Sequence, residues 1–118
     1  SQFFFDADAF LRFRDKLARA GVFAPVLPGI MPVTNAHGVK KMADACGAAF
    51  PRWMMHLFDG LDDDPETRRL VAAVTTAQLC ARLSAEGVSD FHFYTLNRAD
   101  LTLAICRILG VRAKAAVQ

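Results

Sequence analysis

The 118-residue sequence lacks the signatures of several protein classes. It contains no Gly-x-Gly-x-x-Gly, P-loop or Gly-x-Ser-x-Gly motif. The usual signatures of dinucleotide-binding proteins, P-loop nucleotide-binding proteins and serine hydrolases are therefore missing. No apolar run approaches the roughly 20 residues of a membrane-spanning helix. The formal net charge is +2 with both signs interspersed, so there is no basic stripe to bind a phosphate backbone. We therefore expect neither a membrane nor a nucleic acid as partner.

Metal-ligand patterns are missing as well. The chain has three cysteines and three histidines: Cys46, Cys80, Cys106, His37, His56 and His92. Neither set shows the spacing of a zinc, redox or other metal motif, so we predict no metal site. We interpret the cysteines as reduced core residues, as is typical of a cytoplasmic protein.

Apolar residues are abundant, at 53% of the sequence. This fraction is high for a small free-standing domain, because a small domain has a large surface that normally needs more polar residues. The first residues are typical of a buried strand, with no leader or capping turn before them. We therefore expect a preceding part of a longer protein, or another copy of the chain, to cover apolar surface.

Apolar runs alternate with helical periodicities along the chain. Strands are predicted at residues 2–5, 26–33 and 91–96. Helices are predicted at residues 7–20, from a cap at Thr34 or Asn35 to Gly47, at 51–58, from Pro65 to about Glu86, and from Asn97 to Gly110. Strands that alternate with helices indicate an α/β fold, with three parallel strands in chain order and helices on one face. Residues 1–111 are predicted to form this unit, and residues 112–118 a frayed tail.

Two polar residues beside the predicted strands are candidates for ligand binding. Gln2 lies within an apolar strand, where a buried amide needs hydrogen-bond partners that a ligand or a neighbouring strand could supply. Arg98 directly follows the third strand, where its guanidinium could bind a carboxylate or carbonyl, or could simply be exposed at a helix start. In barrel enzymes the chemistry lies at the carboxyl ends of the strands.

Four blocks of the sequence resemble the bacterial methylenetetrahydrofolate reductases. They are QFFFD at residues 2–6, LPGIMPVTN at 27–35, LFDGLDDD at 57–64 and FHFYTLNRAD at 91–100. The resemblance covers essentially the whole chain in order. It implies the last three βα units of a (β/α)8 TIM barrel, and hence a partial barrel.

The resemblance also implies a function. Family members use FAD to pass hydride from NAD(P)H to 5,10-methylenetetrahydrofolate, giving 5-methyltetrahydrofolate in one-carbon metabolism and methionine biosynthesis. Carried over by position, Gln2 would contact both the NAD(P)H donor and the folate, and Arg98 would bind folate. The resemblance implies that most of the FAD contacts and the catalytic acid of the family precede this segment, so we expect no catalytic residue here and no FAD bound by the chain alone.

Two positions depart from the family pattern, and they leave an alternative open. Some members carry a folate-contacting glutamine where this chain has Gly38, and a stacking aromatic residue where it has Met42. Met42 can still cover a ring through its polarisable thioether, but Gly38 cannot replace an amide. The alternative to a reductase segment is a truncated, non-catalytic half-barrel that acts as an assembly module or binds folate weakly.

Overall fold

A computed structural model of the chain describes residues 1–95 and 99–111. Within these residues the fold is α/β and mostly helical. The elements are α1 (Ala7–Arg19), β1 (Gly29–Ile30), α2 (Ala36–Cys46), α3 (Arg52–Leu57), α4 (Pro65–Ala85), β2 (His92–Phe93) and α5 (Ala99–Ile108). The five predicted helices are therefore confirmed in this part of the chain. The predicted tail at residues 112–118 lies outside the described residues.

The sheet is small and parallel. Gly29 pairs with His92 and Ile30 pairs with Phe93, and an isolated parallel bridge joins Phe3 to Gly29. The predicted order is thus confirmed, since the first segment lies beside β1 and β1 lies beside β2. The strands are shorter than predicted because prolines flank Gly29 and Ile30 on both sides, and a proline cannot donate to a strand ladder.

Helices pack on both faces of the sheet, so the prediction of helices on one face is wrong. One face carries Phe3, Phe5, Met31 and Val33, which cluster with buried residues of α2 and α3. The other face carries Phe4, Ile30, Phe91 and Phe93, which cluster with residues of α1 and α4. The physical reason is that the strand segments are apolar at consecutive positions, so both faces need cover.

Capping residues set the starts of three helices. Asp6 accepts a hydrogen bond from the backbone of Asp8 at α1, and Asn35, rather than Thr34, caps α2. Asp64 caps α4 before Pro65 at the first helical position. Hydrogen bonds from the Thr67 side chain and backbone lower the pKa of Asp64. The predicted cap at Asn97 lies outside the described residues.

The three cysteines occupy different environments, which corrects part of the sequence interpretation. Cys80 is fully buried, Cys106 is partly buried and Cys46 is exposed, all as free thiols. Burial raises the pKa of Cys80 to about 12, with a smaller contribution from Cys106. Cys46 is not a core residue, since it is the last residue of α2 and is exposed.

Candidate functional site

A groove lies at the carboxyl ends of the two strands. Its walls come from the segment after β1, the first half of α2, the segment after β2 and the start of α5. The lining residues are Pro32, Thr34, Asn35, Gly38, Val39, Met42, Tyr94, Thr95, Leu101 and Thr102, around a volume of about 270 Å³. This position is the one at which parallel α/β folds bind ligands.

Hydrogen bonds to two side chains hold the α2 wall of the groove. The Asn35 Oδ1 atom accepts a hydrogen bond of 3.1 Å from the Gly38 backbone N–H and so starts the helix. Arg68 of α4 donates from Nε to the Thr34 carbonyl at 3.1 Å. The same guanidinium donates to the Leu61 and Asp62 carbonyls at 2.6 Å each. Arg68 therefore fixes the segment after β1 to the loop that precedes α4.

Tyr94 forms the wall that follows β2, and Gly29 makes room for it. The Tyr94 hydroxyl donates to the Ser1 carbonyl at 3.1 Å, and its ring meets the Phe3 ring edge-on at 6.0 Å between centroids. A Cβ atom at Gly29 would lie 2.7 Å from the Tyr94 ring and 2.6 Å from the Ser1 carbonyl oxygen. A glycine is required here because backbone and ring approach too closely for any side chain.

The α5 wall has an apolar residue and a hydroxyl side by side. Leu101 is buried against Ala72 and Ala73 of α4, which anchors the start of α5. The neighbouring Thr102 Oγ1 atom is inaccessible to solvent and has no hydrogen-bond partner in the described part of the chain. Within the described residues this hydroxyl is therefore unsatisfied.

The two positions that depart from the family pattern both line the groove. Met42 is 36% exposed, so its thioether is available to a ring placed against α2. A Cβ atom at Gly38 would lie 3.1 Å from Asn35 Nδ2. A larger residue at position 38 therefore requires a small shift of the exposed Asn35 side chain.

The two predicted ligand-binding residues are not both placed in the groove. Gln2 lies outside its lining, and the Gln2 Nε2 atom donates to the Cys46 carbonyl at 3.1 Å, at the far end of α2. Arg98 lies outside the described residues. The expectation that Gln2 and Arg98 meet one ligand at the same rim therefore stays a prediction.

Sequence reasoning passed over Tyr94 and Thr102. Tyr94 carries a signal that could have been used, because an aromatic residue with a polar tip directly follows a predicted apolar strand. Thr102 carries none, since an isolated threonine in a helical pattern is usually hydrogen-bonded to its own helix. Only the packing around α5 distinguishes it.

The groove has the shape of a ligand-binding site, but the lining that the structure describes has no acidic or basic side chain for acid–base chemistry. Its lining is neutral, with apolar walls and a few hydroxyl and amide groups, among the residues that the structure describes. Drug-sized ligands occupy about 300–1,000 Å³. The groove therefore suits one ring system, and it is too small and too uncharged for a whole flavin dinucleotide. This groove alone thus does not fit FAD.

Two further classes of site were sought in residues 1–95 and 99–111. No group of three or more histidine, cysteine, aspartate or glutamate side chains is arranged to hold a metal ion there. No helix within those limits is both long and apolar enough to cross a membrane.

Comparison with known proteins gives a consistent result. The family model for methylenetetrahydrofolate reductase matches residues 1–110. The 5,10-methylenetetrahydrofolate reductase of Escherichia coli is 54% identical over 112 residues, covering 95% of this chain and 38% of the relative. The enzyme of the same name from Buchnera aphidicola subsp. Acyrthosiphon pisum is 40% identical over 111 residues, covering 94% of this chain and 38% of the relative. Methylenetetrahydrofolate reductase (NADH) 1 of Arabidopsis thaliana is 30% identical over 111 residues, covering 94% and 19%. The chain thus spans about 38% of the length of the bacterial relatives.

Proposed function

Because the chain belongs to the methylenetetrahydrofolate reductase family, we propose that it forms the folate-binding part of a cytoplasmic methylenetetrahydrofolate reductase. In this proposal the complete enzyme is a (β/α)8 barrel in which these residues supply the last three βα units. It reduces 5,10-methylenetetrahydrofolate to 5-methyltetrahydrofolate with electrons from NAD(P)H by way of FAD. The residues of this chain bind and orient the folate.

The observation that carries the proposal is the groove at the carboxyl ends of the strands. The positions aligned with family folate contacts, Gly38 and Met42, line one wall. Tyr94 and Thr95, which precede Arg98 in the sequence, line the opposite wall. A ring between Met42 and Tyr94 would have apolar cover on both sides and hydrogen-bonding groups at its edge. This lining supports the recognition of one ring system of a folate.

Gln2 and Arg98 are proposed as the two polar contacts outside the groove wall. The forked donors of Arg98 suit a carboxylate or carbonyl of the folate. Gln2 has an amide that is exposed and bonded only to the Cys46 carbonyl among the described residues, so it can exchange that partner for NAD(P)H or folate. Holding a reacting ring in a fixed orientation is a large part of what a protein contributes to cofactor chemistry.

FAD, when bound, supplies the hydride chemistry, and we place its site in another part of the barrel. No step of the reaction is assigned to the residues described here. Their role is to orient the folate and to exclude water from one side of it, since the groove walls are apolar.

The test uses the polypeptide in which residues 1–118 are naturally encoded, supplied with FAD, NAD(P)H and 5,10-methylenetetrahydrofolate. We expect Gln2→Ala to slow both flavin reduction by NAD(P)H and flavin oxidation by folate. We expect Arg98→Ala to raise the folate KM by roughly tenfold or more, the loss expected for a charge-assisted hydrogen bond, and to spare flavin reduction. Arg12→Ala, on the exposed side of α1, is the matched control and should change neither rate.

Equal loss of both half-reactions in Arg98→Ala, with flavin still bound, would contradict a folate-specific role for this residue. A second candidate function, a non-catalytic module that binds folate, is favoured by the neutral groove lining. Folate binding without any NAD(P)H-dependent reduction would support that module and reject the reductase.

A further inference from the structure

Thr102 stands out because its hydroxyl is buried and has no partner among the residues that the structure describes. It is the fourth residue of α5, and its Oγ1 atom has no hydrogen-bond partner in the residues that the structure describes. Leaving a buried hydroxyl without a hydrogen bond is destabilising. Such a group calls for an explanation, and an absent ligand is one of the few available.

A second threonine in the neighbouring helix shows what the same side chain normally does. The Thr75 hydroxyl in α4 donates to the Val71 carbonyl at 2.8 Å and approaches the Ala72 carbonyl at 3.3 Å. Threonine in a helix usually adopts this backbone-bonded arrangement. Thr102 has no such hydrogen bond within residues 1–95 and 99–111.

Thr102 lies where its hydroxyl can contact a ligand in the groove. Thr102 lines the groove together with Asn35, Gly38, Met42 and Tyr94, within a space that holds one ring system. A helical threonine has two accessible χ1 rotamers, so rotation exchanges the hydroxyl with the methyl group. Ligand binding would use such a rotation to present a group that is both donor and acceptor to the groove.

We infer that the Thr102 hydroxyl is a ligand-binding group that hydrogen-bonds the polar edge of the aromatic ring system occupying the groove. The inference rests on the proposed function, in which that ring belongs to a folate. The opposite position on α2, Gly38, has no side chain to offer. Thr102 therefore supplies side-chain recognition on a wall otherwise formed by Leu101.

The experiment measures two quantities on the naturally encoded polypeptide: the Kd for 5-methyltetrahydrofolate and the Tm without ligand. Thr102→Val keeps the shape and nearly the helix propensity but removes the hydroxyl. We expect it to raise the Kd about three- to tenfold, the range of one neutral hydrogen bond. We expect its Tm to stay unchanged or to rise by a few degrees, because an unsatisfied group is removed.

Two further variants separate binding from folding. Thr102→Ser keeps the hydroxyl and should hold the Kd within about twofold of the original, since only a methyl group is lost. Thr75→Val removes a hydroxyl outside the groove and should leave the Kd unchanged.

Each other outcome also decides the matter. An unchanged Kd in Thr102→Val overturns the inference and leaves the proposed function intact. A lowered Tm or loss of folding in Thr102→Val also overturns it, because the hydroxyl would then be a structural hydrogen-bond donor. A wild-type protein that does not bind 5-methyltetrahydrofolate overturns the proposed function, and the inference with it.

Discussion

The two ends of the small sheet differ in how their polar groups are used. At the amino end, the Ser1 hydroxyl accepts a hydrogen bond from the Gly29 N–H at 3.0 Å. The Ser1 carbonyl accepts from the Tyr94 hydroxyl. At the carboxyl end, the Thr102 hydroxyl has no partner within the described residues. The polar groups of Ser1 are thus satisfied within the chain, whereas the Thr102 hydroxyl is not satisfied among the described residues.

The same difference is typical of barrel enzymes. Their active sites lie at the carboxyl ends of the strands, whereas residues at the amino ends contribute to the stability of the fold. Tyr94 belongs to both ends, since its hydroxyl bonds Ser1 while the residue lines the groove. We therefore expect substitutions at the amino end to lower stability most, and substitutions at the carboxyl end to affect mainly folate binding.

The largest expected effect is at the amino end. In Gly29→Ala the new Cβ atom would meet the Ser1 carbonyl and the Tyr94 ring at distances that real Cβ atoms do not adopt. We expect the free energy of unfolding to fall by about 3 kcal/mol, as for severe overpacking. Urea denaturation measures it.

Gly38→Ala at the carboxyl end is the matched control for Gly29→Ala. Its Cβ atom would meet only the exposed Asn35 side chain, and alanine favours helix over glycine by about 1 kcal/mol. Stability should hold or rise. If both alanine variants lose the same stability, the contrast between the ends is wrong.

A smaller loss of stability is expected at Arg68, which anchors the α2 wall of the groove. Arg68→Met removes hydrogen bonds to three backbone carbonyls, one of them that of Thr34 beside the groove. We expect a loss of about 2 kcal/mol in stability and weaker folate binding, because charged donors are strong and the wall loses its support. Isothermal titration and urea denaturation measure the two effects.

The adjacent Arg69 provides the control for Arg68. It forms an exposed ion pair with Asp100, and such pairs contribute little. Arg69→Met should change stability and folate affinity far less than Arg68→Met. A similar loss in both variants would mean that any change to α4 disturbs the groove.

The fold was predictable from the sequence in its element order but not in its packing. Helical periodicity and the caps at Asp6, Asn35 and Asp64 are local signals, so the helices were predicted to within a few residues. Strand length and the helices on both faces depend on contacts between distant residues. Three prolines in or next to the predicted strand shorten β1. The face of the sheet on which α2 packs depends on tertiary contacts, which local sequence does not encode.

The candidate site was predictable only in part. Gly38 and Met42 could be singled out through the family pattern, and both line the groove. Tyr94 and Thr102 gain their importance from packing, which no local pattern encodes. The pairing of Gln2 with the Cys46 carbonyl joins residues far apart in sequence, and nothing in the Gln2 strand indicates it.

The smallest expected effect on stability concerns the cysteines. Cys46, at the exposed end of α2, should react with iodoacetamide at pH 8 far faster than buried Cys80, whose pKa is raised to about 12. The buried neutral thiol contributes stability that is fully present below pH 9.0 and is lost as the pH rises toward 12. Peptide mass spectrometry after timed labelling checks the order. Equal labelling in the folded protein would show that the core opens as readily as the surface.

The most direct test of the account is hydrogen–deuterium exchange of the naturally encoded polypeptide with and without 5-methyltetrahydrofolate. We expect folate to slow exchange in the first half of α2 and at the start of α5, whose residues line the groove. Exchange at residues 22–27, near the amino end of the sheet, should stay unchanged. Bound folate that protects residues 22–27, or that leaves both groove walls unprotected, would contradict the claim that this groove binds folate.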